Sequence, residues 1–92
     1  MIKVKDLSSR HRRTFDDVMA EPPKAGIKWD DITALIKAAG GEIKKSGGSR
    51  RKFQIGTTRY HTHQPHPQNT IDKGALAGLK EWFVNSVGVK YD

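Results

Sequence analysis

Arg50-Arg51-Lys52-Phe53-Gln54-Ile55-Gly56-Thr57-Thr58-Arg59-Tyr60-His61-Thr62-His63 is the stretch that decides the fold. Arg51, Phe53 and Ile55 alternate with Arg50, Lys52 and Gln54. Beyond the glycine, Thr58, Tyr60 and Thr62 alternate with Arg59, His61 and His63. This period of two is that of half-buried strands. Gly56-Thr57 suits a two-residue type II′ hairpin turn, with glycine at the first central position. The turn sets the register. Ile55 faces Thr58, Phe53 faces Tyr60 and Arg51 faces Thr62 on one side of the ribbon. On the other side Gln54 pairs with Arg59, Lys52 with His61 and Arg50 with His63. The apolar side belongs under helices, and a slip of one residue would invert every assignment.

The neighbouring segments complete an α+β pattern. Glu42 to Lys45 can form a strand, Ser46-Gly47-Gly48-Ser49 a flexible turn, and Pro65-His66-Pro67 ends the hairpin because proline cannot donate to a ladder. Upstream, Asp30 is an N-cap candidate for a helix carrying Ile32, Leu35, Ile36 and Ala39, stopped by Gly40-Gly41. An earlier helix starts at Ser8 or Ser9, carries Phe15, Val18 and Met19, and stops at Pro22-Pro23. Residues 1–7 read as a loosely held arm or a short edge strand. A last helix begins near Asn69 or Thr70 with Leu76, Leu79, Phe83 and Val87 as its stripe, and Gly88 at its C-terminal end. The expected architecture is two helices, a three-stranded antiparallel sheet and a third helix, with the helices on one face of the sheet.

At 92 residues the expectation is one domain, because two separate cores would each be too small. The chain has no cysteine, which excludes disulfides and thiolate metal sites and makes the cytoplasm the default compartment. No apolar run is long enough for a membrane span. The net charge is +7, which favours a polyanionic partner, with nucleic acid foremost. That charge is concentrated. Residues 41–64 hold Lys44, Lys45, Arg50, Arg51, Lys52 and Arg59 against Glu42 alone, a net of +5, while residues 65–92 net zero.

The face bearing Arg50, Lys52, Arg59, His61 and His63 suits phosphate chemistry. Cations attract the backbone and stabilise charge on a phosphorane-like transition state. Imidazole titrates near neutrality and serves as acid or base. RNA brings its own nucleophile, the 2′-hydroxyl, so strand scission needs a base, an acid and a cationic clamp, and no metal or other cofactor. The plainer alternative is that His61 and His63 decorate a solvated sheet face, and that His66 only shapes a turn between two prolines. His11, among arginines, reads as a surface residue. His61, His63 and His66 lack the cysteine or carboxylate that would complete a metal shell. Ser46-Gly47-Gly48-Ser49 lacks P-loop spacing. The connector after Pro22-Pro23 is too long and irregular for a helix-turn-helix.

Ile32 to Val89 resembles the HicA family of toxins from bacterial toxin–antitoxin modules. The resemblance rests on Ala39-Gly40-Gly41, Gly48-Ser49-Arg50-Arg51-Lys52-Phe53, Tyr60-His61 leading to His66-Pro67, Asp72-Lys73-Gly74-Ala75-Leu76, and Val87-Gly88-Val89. It implies a double-stranded-RNA-binding-like α-β-β-β-α fold over residues 29–92. Residues 1–28 would be an arm and helix of a longer subgroup. It also implies ribosome-independent cleavage of mRNA and a HicB-like antitoxin that covers the active surface, with DNA reached only through the antitoxin complex. HicA-like toxins usually carry the catalytic histidine directly after the Gly-Ser pair, and here that position is Arg50. Arginine clamps phosphate but is a poor general base. The expected catalytic set is therefore His63 and His61, with His66 and Arg50. Lys44, Lys45, Arg51, Lys52, Arg59 and Lys73 would contact RNA. A domain that binds RNA or its antitoxin without turnover is the alternative.

Overall fold

The computed structural model describes all 92 residues. In chain order, β1 (Ile2–Lys3) leads through a 3-10 turn (Val4–Asp6) into α1 (Ser9–Met19) and α2 (Trp29–Ala38). Strands β2 (Glu42–Gly47), β3 (Arg50–Ile55) and β4 (Thr58–His63) follow. Then come α3 (Lys73–Trp82), a π-helical turn (Phe83–Val87) and β5 (Val89–Lys90). The main sheet has the order β2-β3-β4, antiparallel throughout. The hairpin has the register that the two-residue turn dictates, from Ile55 opposite Thr58 to Arg50 opposite His63. Gly56 takes a φ of +60° in that turn, the left-handed region that glycine enters without steric cost.

The helix termini show where local chemistry decides and where tertiary contacts override it. Ser8 caps α1, its Oγ accepting from the His11 N–H at 3.3 Å. Asp72 caps α3, accepting from the Ala75 N–H at 2.8 Å. At α2, however, the cap is Lys28, with no side-chain bond, and Asp30 lies inside the first turn. The reason is a pairing between distant segments. The Trp29 N–H donates to the Asn69 carbonyl at 2.8 Å, the Ile71 N–H to the Ile27 carbonyl at 2.9 Å, and Lys28 bridges Thr70. These bonds fix the entry to α2, while Asp30 and Asp31 complement its dipole. Its exit follows the Schellman pattern. Gly40 has a φ of +85°, its N–H bonds to the Lys37 carbonyl, and the Gly41 N–H bonds to the Ile36 carbonyl. Gly41 is glycine for a second reason, since a Cβ there would stand 2.7 Å from the Gln54 carbonyl oxygen.

Besides the α2 cap, α3 starts at Lys73 after its Asp72 cap and not near Asn69 or Thr70, and two further features depart from the sequence expectation. β2 runs on through Ser46 to Gly47, with a register shift between Lys45 and Gly47, so the flexible turn shrinks to Gly48-Ser49. The first residues are not a loose arm. β1 pairs in parallel with β5, Ile2 opposite Val89, and Ile2 and Val4 are fully buried.

Seventeen buried residues form one core between the sheet and the helices. All seven aromatic side chains form a continuous series through it. The series runs from Trp29 to Phe53, Tyr60, Trp82, Phe83, Phe15 and Tyr91, with successive ring centroids 5.3–6.3 Å apart. Aromatic pairs at such spacings add to the area they bury.

Candidate nucleic-acid-binding face

Alternation along β2, β3 and β4 sorts the cations onto two faces. Phe53 and Ile55 are buried beneath the helices, so Arg50, Lys52 and Gln54 face outward. The ladder sets His63, His61 and Arg59 directly beside them. Lys44 lies opposite Lys52 on the other flank. Directly opposed residues have Cβ atoms roughly 5 Å apart. Each imidazole therefore neighbours a cation across the ladder, Arg50 beside His63 and Lys52 beside His61.

The face is electrostatically uncompensated. On this face Lys44 is opposed by Lys52, and on the other side of the ribbon Lys45 is opposed by Arg51; like charges in direct opposition destabilise a sheet. Glu42 reaches Lys44 at 3.5 Å with both side chains well exposed. No carboxylate lies within ion-pair distance of Lys45, Arg50, Arg51, Lys52 or Arg59. The unpaired positive charge is available to an anion from solution. The aromatic series lies on the core side, so this face offers no aromatic ring on which a base could stack.

The remaining expected residues fall elsewhere. Lys45 and Arg51 share the core-side face of the ribbon, beyond the part that the helices cover. Arg51 is tied to the β2–β3 turn, its Nη1 donating to the carbonyls of Gly48 at 2.8 Å and Arg50 at 2.9 Å. The Arg50 guanidinium lies over Gly47, with Nη2 3.0 Å from where a Cβ would stand. His66 lies outside the sheet, but it and His63 line one shallow cavity of about 310 Å³ together with Thr70 and Asp72. Lys73 follows Asp72 as the first residue of α3. His11 is half-buried, and its Nδ1 is shut away from water without a hydrogen-bond partner. No three His, Cys, Asp or Glu side chains converge into a group that could hold a metal ion.

Sequence reasoning reached the hairpin because strand period and turn length fix it. It did not reach the cavity, because Thr70 and Asp72 approach His63 only through the folded 64–72 loop. Nor did it single out Arg10, Arg13, Lys24 and Lys28, which line a second and larger cavity of about 340 Å³. Their spacing gives no local signal that α1 and the connector enclose a space.

A family model described as the HicA toxin of bacterial toxin–antitoxin systems matches residues 29–81. The chain belongs to the HicA toxin family. The match runs from the start of α2 to the next-to-last residue of α3, so it contains the whole three-stranded sheet and its uncompensated face. β1, α1 and the connector precede it. No curated protein and no solved structure matches the chain. The α+β arrangement and antiparallel β2-β3-β4 sheet are consistent with the double-stranded-RNA-binding-like fold of HicA toxins. Membership makes this a toxin of a toxin–antitoxin system, a class that is paired with an antitoxin partner. No helix is long and apolar enough to cross a membrane.

Proposed function

We propose that this HicA toxin is a metal-independent endoribonuclease that cleaves mRNA in the cytoplasm and is neutralised by a HicB-like antitoxin covering the β2-β3-β4 face. The observation that carries the proposal is the pairing of Arg50 with His63 and Lys52 with His61 across one exposed ladder. One imidazole removes the proton of a ribose 2′-hydroxyl as its oxygen attacks the adjacent phosphorus. The O2′–P bond forms and the P–O5′ bond breaks. A second imidazole, as imidazolium, gives its proton to the departing 5′ oxygen. The products are a 2′,3′-cyclic phosphate and a 5′-hydroxyl. Lys52, Arg59 and Arg50 hold the phosphate and offset charge growing on its oxygens. Arg50 acts as a clamp, since a guanidinium grips phosphate oxygens but is a poor general base. His63 is the histidine best placed to meet both the cationic face and the His66 cavity.

A face with cations but no aromatic platform binds backbone more than bases, so affinity is salt-sensitive and weakly dependent on sequence. The decisive experiment is cleavage of RNA by the purified chain with EDTA present, compared with the His61→Ala/His63→Ala variant. Cleavage that survives in the double variant would falsify the assignment.

One observation favours a second reading, a domain that binds RNA or antitoxin without turnover: arginine stands where HicA-like toxins usually carry histidine. That reading expects retained RNA binding, no cleavage products and no growth arrest on induced expression.

A further inference from the structure

The largest cavity in the molecule lies away from the sheet face. Arg10, Arg13 and Asp17 project into it from one side of α1, Lys24 and Lys28 from the connector, and Asp31 from the first turn of α2. Its two carboxylates are already engaged, Asp31 by Arg10 at 3.0 Å and Asp17 by Lys24 at 3.5 Å. Arg13 and Lys28, both exposed, have no carboxylate within ion-pair distance. The trough thus carries two free positive charges on a mostly polar wall, with Ala25 and Ile27 its apolar part. A small oxyanion suits it, and an apolar ligand does not.

Its position ties it to the histidines. Ile27 and Lys28 line the trough, Thr70 and Ile71 line the His63–His66 cavity, and Lys28 bridges Thr70. The two cavities therefore border the same pair of hydrogen-bonded segments. We propose that the trough is a phosphate subsite, in which Arg13 and Lys28 hold the backbone of the RNA strand whose reacting linkage lies at His61 and His63. This rests on the ribonuclease reading above and extends the RNA path beyond the residues of the family match. A guanidinium grips two phosphate oxygens at once, and the lysine supplies a second point charge.

The test uses the full chain and its Arg13→Ala/Lys28→Ala variant with a 2′-O-methylated single strand, which cannot be cut. Affinity is read at a series of salt concentrations. Each phosphate contact on a single strand adds about 0.7 to the slope of log affinity against log salt, so losing two lowers it by about 1.4. Cleavage of a dinucleotide, too short to reach the trough, stays at the wild-type rate, and Arg13→Lys/Lys28→Arg keeps the wild-type slope. An unchanged slope overturns the proposal, as does an equal loss on the dinucleotide. Should the chain neither bind nor cut RNA, the ribonuclease reading falls, and titration with inorganic pyrophosphate decides the trough separately. Shifts of the Arg13 and Lys28 amides then establish a phosphate site, and still amides remove it. Polyglutamate moving those amides where pyrophosphate does not would make the trough a protein-docking surface and overturn the proposal.

Discussion

Gly78 in α3 approaches the Tyr60 hydroxyl so closely that a Cβ on it would stand 2.6 Å from that oxygen. The phenol cannot simply swing away. Tyr60 Oη donates to the Ala75 carbonyl at 2.7 Å, and its ring stacks on Trp82 with centroids 5.8 Å apart. Gly78→Ala should therefore destabilise the fold although alanine favours a helix by about 1 kcal/mol over glycine. Overpacking costs about 1–3 kcal/mol. In a Tyr60→Phe background the closest clash is gone and the penalty shrinks. Urea denaturation of the two single variants and the double should give a coupling of about 1 kcal/mol between the sites, and strict additivity would disprove the contact.

Tyr60 also sets a pH response. Burial raises its pKa above the usual 10.0, the Asp72 charge adds to this, and the neighbouring Thr62 side chain partly opposes it. The unfolded chain releases the phenolic proton first, so above pH ~10 it binds fewer protons than the folded one. The stabilisation is complete below that pH and is lost as pH rises through the folded-state value. Wild type should lose more stability than Tyr60→Phe on the alkaline side, and the two should run parallel at neutral pH, measured by urea midpoints.

Ile2 is wholly buried and hydrogen-bonded through its N–H to the Gly88 carbonyl at 2.9 Å. Ile2→Ala should cost about 2–5 kcal/mol in urea unfolding, the range for truncating a buried isoleucine. A cost below about 0.5 kcal/mol, that of an ordinary surface substitution, would mean that β1 is not held in solution.

Arg50 and His63 are neighbours with different proposed tasks, and their variants should fail differently. His63→Ala should slow RNA cleavage by about 10²–10⁴, the usual worth of a general acid or base, while leaving RNA affinity near wild type. Arg50→Ala should instead weaken binding and lower the salt slope by about 0.7. Anisotropy and single-turnover cleavage on the same RNA separate the two. Equal losses of affinity in both variants would remove the distinction.

The legible parts of this molecule are those fixed by neighbours in the chain. Gly56-Thr57 sets the β3–β4 register, because a two-residue turn leaves one pairing open, and so the ladder partners of Arg50 and Lys52 can be named from sequence. Ser8, Gly40 and Gly88 mark helix ends through side-chain oxygen or positive φ. What sequence misses is set by distant partners. Asp30 is a better local cap than Lys28, but the Asn69–Ile71 segment pins Trp29 into the helix. The two-residue strand β1 has no period to read, and its partner β5 lies at the other end of the chain. Ser46 and Gly47 read as turn residues, yet the ladder continues through them because the register shift absorbs one extra residue. The site follows the same division. Its strand residues are legible, and the union of His63 with His66 and Asp72 is not.

The β1–β5 pairing joins residues 87 positions apart, Ile2 with Val89. It closes the longest loop this chain contains, and such contacts form late because chain entropy opposes them until the intervening structure exists. On a growing chain, Ile2 and Val4 have no partner strand until Val89 and Lys90 have been made. Synthesis itself therefore delays the closing of the fold until β5 has been made.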